Sequence, residues 1–170
     1  MNYQVRNAEK GDFPAILEIY ASARRFMAES GNPNQWGNAD PSEAVLRHDL
    51  GNHNLYVLTE GGKIHGVFAF ISGWEDPTYQ VIERGSWHST GPYGVIHRVA
   101  GDGSGGILRA AVSYAEQRAA YLRIDTHEDN LPMQRQIRKN GFSYCGIIYT
   151  EKGDPRLAFD RVPGKNAGKV

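Results

Sequence analysis

A strand-like run, Tyr93-Gly94-Val95-Ile96-His97-Arg98-Val99-Ala100, drops into the glycine-rich turn Gly101-Asp102-Gly103-Ser104-Gly105-Gly106, and a helical pattern begins at Ile107. A second short strand, Tyr121 to Asp125, follows, then Thr126-His127-Glu128-Asp129-Asn130, another helix, and the pair Gly141-Phe142. This arrangement constrains the fold more than any other stretch of the chain. Unpaired N–H groups at the start of a helix, with the helix dipole behind them, form an anion site. Glycines let a phosphate approach the backbone closely. The stretch therefore predicts a site for a ligand that carries a diphosphate.

The rest of the chain predicts one α/β domain over residues 1–163, with a disordered tail at 164–170 that holds too few apolar residues to pack. Tyr3–Arg6 reads as an opening strand. Phe13, Ile16, Leu17, Tyr20 and Met27 recur at helical spacing behind Asp12 and Pro14. Asp40-Pro41-Ser42-Glu43 predicts a capping box with proline at the first helical position, and a helix to about Leu50. Two hairpins are expected, one around Glu60-Gly61-Gly62-Lys63 and one around Glu151-Lys152-Gly153-Asp154-Pro155. Asn140-Gly141 predicts a left-handed helix end. The order β-α-α-β-β-β-α-β-α-β-β implies an α/β sandwich around one mixed sheet.

Lys+Arg and Asp+Glu number 19 each, so no net field draws the chain to nucleic acid or anionic lipid. No apolar run is long enough to span a bilayer and no signal-peptide pattern opens the chain, so a cytoplasmic protein without a membrane partner is expected. Cys145 is the single cysteine, and the six histidines show no paired ligand spacing, so no metal site is expected. No Gly-Lys-Ser/Thr ending follows the glycines, which argues against Walker-type nucleotide hydrolysis.

The element order, the glycine turn and the Asn-then-Gly-Phe ending resemble the GNAT superfamily of acyl-CoA-dependent N-acetyltransferases, from about Tyr3 to Arg161. Several phrases are similar to one bacterial branch of it: Arg25-Phe26-Met27 with Gly31-Asn32-Pro33-Asn34-Gln35-Trp36, Asp76-Pro77-Thr78-Tyr79, Ile96-His97-Arg98-Val99-Ala100, Ile124-Asp125-Thr126-His127 with Asp129-Asn130, and Tyr144-Cys145-Gly146-Ile147-Ile148-Tyr149. The resemblance implies a GNAT-like fold of about seven strands and four helices, with acetyl-CoA as cosubstrate. It also implies acetyl transfer to a primary amine, on a small molecule or a peptide, by direct attack in a ternary complex. By position, backbone amides from Ser104 through Gly105, Gly106 and Ile107 to Leu108 would hold the diphosphate. Arg98 and Val99 would pair with the pantetheine arm through their backbone, with the Val99 amide facing the thioester carbonyl. Asn130 would hold the pantetheine or cap the helix that follows, and Met133 would pack on the cofactor. The family's turn is about one residue longer, and Ile137 stands where the family often has a thiolate-protonating tyrosine. A catalytically degenerate acyl-CoA-binding or regulatory module is the alternative those departures motivate.

Direct transfer needs a neutral amine, hence a base. His97 is the candidate on the strand facing the thioester, because histidine titrates near pH 6.5. Glu128 and Asp125 compete from the end of the next strand, although an acid such as Glu128 can equally be a solvent-facing loop residue. Tyr149 and Tyr144 are candidates to protonate the departing thiolate. Trp36, Trp74, Trp87 and Tyr79 read as loop aromatics, and with Glu75, Asp76 or Glu83 they would suit a cationic amine. An exposed sheet edge or the last hairpin is where a homodimer contact would form.

Overall fold

A computed structural model describes residues 1–73 and 75–164; Trp74 and the tail from 165 lie outside them. The elements are β1 (Gln4–Asn7), α1 (Phe13–Glu29), α2 (Glu43–Gly51), β2 (Leu55–Glu60), β3 (Lys63–Ser72), β4 (Gly94–Gly101), α3 (Ile107–Ala115), β5 (Leu122–Thr126), α4 (Leu131–Lys139), β6 (Ser143–Tyr149) and β7 (Pro155–Arg161). They follow the predicted order and form one seven-stranded sheet, β1-β2-β3-β4-β5-β7-β6. Only β4 and β5 run parallel; the other neighbours are antiparallel.

Side chains of a strand alternate between its faces, and both faces of this sheet are covered. Tyr56, Leu58, Phe68 and Phe70 pack beneath α3, whose Leu108, Ala111 and Ala115 are buried, together with Ile137 and Phe142. Leu55, Val57, Val67 and Ala69 meet Ile16, Ile19 and Tyr20 of α1 and Leu46 of α2 on the other face. At the end of α4, Gly141 takes φ 87°, and the Phe142 amide donates to the Ile137 carbonyl at 3.3 Å. That is the expected left-handed stop, and glycine adopts it without the Cβ penalty.

The start of α2 departs from the expectation. Ser42, not Asp40, is the cap, and its hydroxyl accepts the Val45 amide at 3.2 Å. Pro41 therefore lies before the helix, and the Asp40 carboxylate instead pairs with Lys152 at 2.8 Å. The long connection after β3 is also more ordered than a loop. It carries a short 3₁₀ turn, Pro77–Tyr79, and Glu83 bridges to Ile147 along the outer edge of β6. Tyr79, read from the sequence as a loop aromatic, is 1% exposed within a core cluster with Val95 and Cys145. Among the described residues no helix is long and apolar enough to cross a membrane.

Two features open the sheet at its centre. Between β4 and β5 only Gly94–Leu122 and Val95–Arg123 are in register, so the strands part from Ile96 and Ile124 onward. On its other side β4 bulges: Ala69 faces His97 and Val67 faces Ala100, leaving Arg98 and Val99 without partners on β3. The extra residue bends the strand and strengthens its local twist. Arg98 sits at φ 53°, a conformation that costs a non-glycine residue about 1 kcal/mol. Two long-range contacts hold it there. The Arg98 guanidinium forms a two-point ion pair with buried Asp49 of α2 (2.8 and 3.0 Å), and its carbonyl accepts the Tyr20 hydroxyl of α1 at 2.7 Å.

Candidate active site

The parted strands enclose a cavity of ≈190 Å³ lined by His97, Val99, Asp125, Thr126 and Asn130, among others. A second cavity, ≈370 Å³, shares Met27, Val99, Asn130 and Met133 with it and reaches the glycine turn. A third, ≈600 Å³, shares His97, Asp125 and Arg156 and opens between α2 and the β6–β7 hairpin. Through these shared lining residues the three adjoin, as a passage alongside the parted strands.

The turn end suits an anion at its amides. Gly103, Gly105 and Gly106 take φ 90°, 81° and 73°, and a Cβ on Gly103 or Gly105 would meet nothing within 4 Å. Ile107 and Leu108 open α3, so their amides have no partner inside the helix. Ser104 differs from the expectation: its amide donates to the Asp102 carboxylate at 3.0 Å, and its hydroxyl bonds the same oxygen. Asp102 lines the cavity and is flanked by His65 at 2.9 Å and Lys63 at 3.8 Å. Burial would raise its pKa, but the bonds from Ser104 and His65 outweigh this and lower it. The turn thus carries a carboxylate of its own, which leaves Gly105 to Leu108 as the available amides.

At the centre, His97 lies between two carboxylates. Its Nε2 is 3.0 Å from Asp76 Oδ2, and its Nδ1 is 4.0 Å from Asp125 Oδ1. Asp76 is buried and receives the Thr78 amide and hydroxyl at 2.9 and 2.7 Å. Burial alone would raise its pKa, yet hydrogen bonds from His97 and Thr78 hold the carboxyl at about 2. An ionised carboxylate only accepts, so Nε2 is the donor to Asp76, and in a neutral ring Nδ1 is then the nitrogen that can accept a proton. Asp125 receives the Tyr79 hydroxyl at 2.6 Å. Burial, then the Asp125 charge, push that phenol well above its ordinary pKa, so it stays a donor.

Asn130 caps α4, accepting the Met133 amide at 3.1 Å, while its Nδ2 donates to Gln35 Oε1 at 2.8 Å across the cleft. The other predicted residues scatter. Glu128 is exposed in a turn and lines none of these cavities. Tyr149 lines the wide groove, where its hydroxyl donates to Glu83 at 2.9 Å; Tyr144 packs edge-on against Phe159. Ile137 is fully buried in the core, away from the passage. Trp36 packs on Tyr20 and lines the cavity, whereas Trp87 stacks on the Arg123 guanidinium at 4.0 Å outside it.

Sequence reasoning missed Asp49, Gln35, Thr126 and Arg156, whose roles rest on contacts between distant segments. It also missed a cluster outside the passage, where His88, Cys145 and Asp160 bring three potential ligand atoms within 4.8 Å. There Asp160 is already satisfied by the Tyr121 hydroxyl at 2.6 Å and by the amide and ring of His88. Burial and the neighbouring carboxylate push the Cys145 thiol up, away from thiolate character.

No family-level sequence model matches the chain. A solved acetyltransferase of the GNAT family from Streptococcus agalactiae 2603 superposes with a TM-score of 0.84 at 27% identity, over 96% of both chains. The chain is a GNAT-type acetyltransferase. A putative acetyltransferase from Staphylococcus aureus Mu50 shares the fold at a TM-score of 0.67 and 22% identity, over 94% of this chain and 98% of that one. Among curated proteins, the peptidyl-lysine N-acetyltransferase YiaC of Escherichia coli K12 is 22% identical over 148 residues, 87% of this chain and 88% of its own.

Proposed function

We propose that the enzyme moves the acetyl group of acetyl-CoA to a primary amine by direct attack in a ternary complex. The observation that carries this reading is His97, oriented by Asp76 and facing Asp125 where the cofactor-side cavity meets the acceptor groove. The amides of Gly105, Gly106, Ile107 and Leu108 would hold the diphosphate. The unpaired stretch at Arg98 and Val99 would receive the pantetheine, with Asn130 and Met133 lining its path. Acetyl-CoA supplies an activated acyl thioester. Arg98 contributes through its backbone, since its side chain is committed to Asp49.

The acceptor would enter as an ammonium ion, drawn by Asp125 and Asp76. His97 Nδ1 takes its proton, and the freed lone pair attacks the thioester carbonyl while the Val99 amide stabilises the developing oxyanion. Collapse breaks the C–S bond and releases the coenzyme A thiolate, while the attacking nitrogen gives up its second proton to solvent. Ile137 cannot protonate that thiolate, and the Tyr149 hydroxyl is engaged with Glu83 in the outer groove. The reaction therefore draws on the acidity of the coenzyme A thiol itself.

Calorimetric titration with acetyl-CoA and with ATP, followed by thiol-release assays on an amine panel, tests the reading. Micromolar binding of acetyl-CoA but not ATP, with turnover of at least one amine, is expected. Binding without turnover of any amine would instead favour a coenzyme A-binding module.

A further inference from the structure

We propose that the acceptor carries a carboxylate as well as its amine, and that Arg156 and Thr126 bind that carboxylate; this rests on the acetyl-transfer reading above. Arg156, near the start of β7, is 7% exposed and lines both the central cavity and the acceptor groove. Its guanidinium donates to two neutral carbonyls, Pro155 and Gln35, each at 3.0 Å. Among the described residues it pairs with no carboxylate, unlike Arg98, whose charge is matched by Asp49. A buried cation without a counter-charge is costly. It is tolerable where a ligand supplies the anion, and guanidinium geometry matches a carboxylate at two points.

Thr126 provides an independent observation. It is 0% exposed, lines the same cavity, and its hydroxyl has no hydrogen-bond partner. Buried hydroxyls are almost always satisfied. In the β5–β7 register Thr126 pairs with Leu157, so it and Arg156 leave the sheet on alternate faces, and both line the central cavity where β4 and β5 part. The opposite polarity lies around His97, where Asp76 and Asp125 suit an ammonium ion. A site with a cation that lacks a carboxylate partner and an unbonded hydroxyl, beside a pair of acids, fits a zwitterion. The acceptor class is thus a free amino acid rather than a lysine within a polypeptide.

The test uses matched pairs: alanine with ethylamine, phenylalanine with phenethylamine, and lysine with cadaverine, plus a lysine peptide blocked at both ends. Each is titrated calorimetrically into the coenzyme A-loaded protein and assayed for turnover with acetyl-CoA. The carboxylate member of at least one pair should bind at least tenfold more tightly. Arg156→Gln should weaken that member by about a hundredfold, with under threefold change for its decarboxylated partner, and Arg156→Lys should recover part of the loss. Thr126→Val should keep the wild-type melting temperature yet weaken carboxylate binding several-fold, a result that loss of folding cannot mimic. Equal losses for both members of a pair overturn the inference and assign Arg156 to the thioester. A wild-type preference for the blocked peptide or for the decarboxylated amines overturns it as well. Arg156-dependent amino-acid binding without acetyl transfer would uphold the inference and remove the acetyl-transfer reading.

Discussion

Substituting Asp76 by asparagine isolates the electrostatics that orient His97. The folded chain lowers the Asp76 carboxyl from its ordinary 3.8 to about 2, because the bonds from His97 and Thr78 outweigh burial. Holding the group ionised in this way adds about 2 kcal/mol of stability once both folded and unfolded states are charged. A lowered folded pKa makes that contribution complete above the unfolded value of 3.8. It is lost as the pH falls through the folded value of about 2. At pH 5 nearly all of it is present, and at pH 3 about half, roughly 1 kcal/mol, remains. Asparagine keeps an oxygen for Thr78 but has no charge to titrate. The wild-type advantage over Asp76→Asn should therefore shrink by about 1 kcal/mol between pH 5 and pH 3. Urea unfolding followed by tryptophan fluorescence at the two pH values reads this directly. An advantage that stays constant across that interval would refute the assignment of Asp76 as the ionised partner of His97.

Three further outcomes are expected. His97→Ala should slow acetyl transfer more at neutral pH than near pH 10, where amines lose their proton unaided; equal losses at both would remove His97 as the base. Gly106→Glu sets a charged side chain at φ 73° beside the amides of Ile107 and Leu108, so acetyl-CoA affinity should fall at least tenfold by calorimetry, and unchanged affinity would refute the diphosphate assignment. Asp49→Ala strands the largely buried Arg98 guanidinium at a cost of about 3 kcal/mol, or roughly 10 °C in melting temperature; a shift under 2 °C would show that this pair does not hold the bulge.

Local physics made most of the architecture legible. Apolar periodicity placed α1, α3 and α4, and Asn140-Gly141 marked the end of α4, because these signals depend on residues within one or two turns of each other. The family resemblance supplied the tertiary arrangement and pointed to His97, Val99, Asn130 and the glycine amides. Errors arose where a local signal had a distant competitor. Asp40 looked like a helix cap but pairs with Lys152 in the last hairpin, and Tyr79 looked like a loop aromatic but is buried against Val95 and Cys145.

The sequence by itself determined the order of the elements, the glycine-rich turn between β4 and α3, and a histidine on the strand that borders the cleft. Each follows from backbone geometry and side-chain chemistry within a short segment. Only the tertiary structure decided what surrounds that histidine. Asp76 lies 21 residues away from it, and Arg98 is held by Asp49 across 49 residues. Arg156, without a carboxylate partner among the described residues, and the unbonded Thr126 hydroxyl line one cavity only because β7 inserts between β5 and β6. Charge pairing and burial are properties of distance in space, and periodicity along the chain carries no record of them.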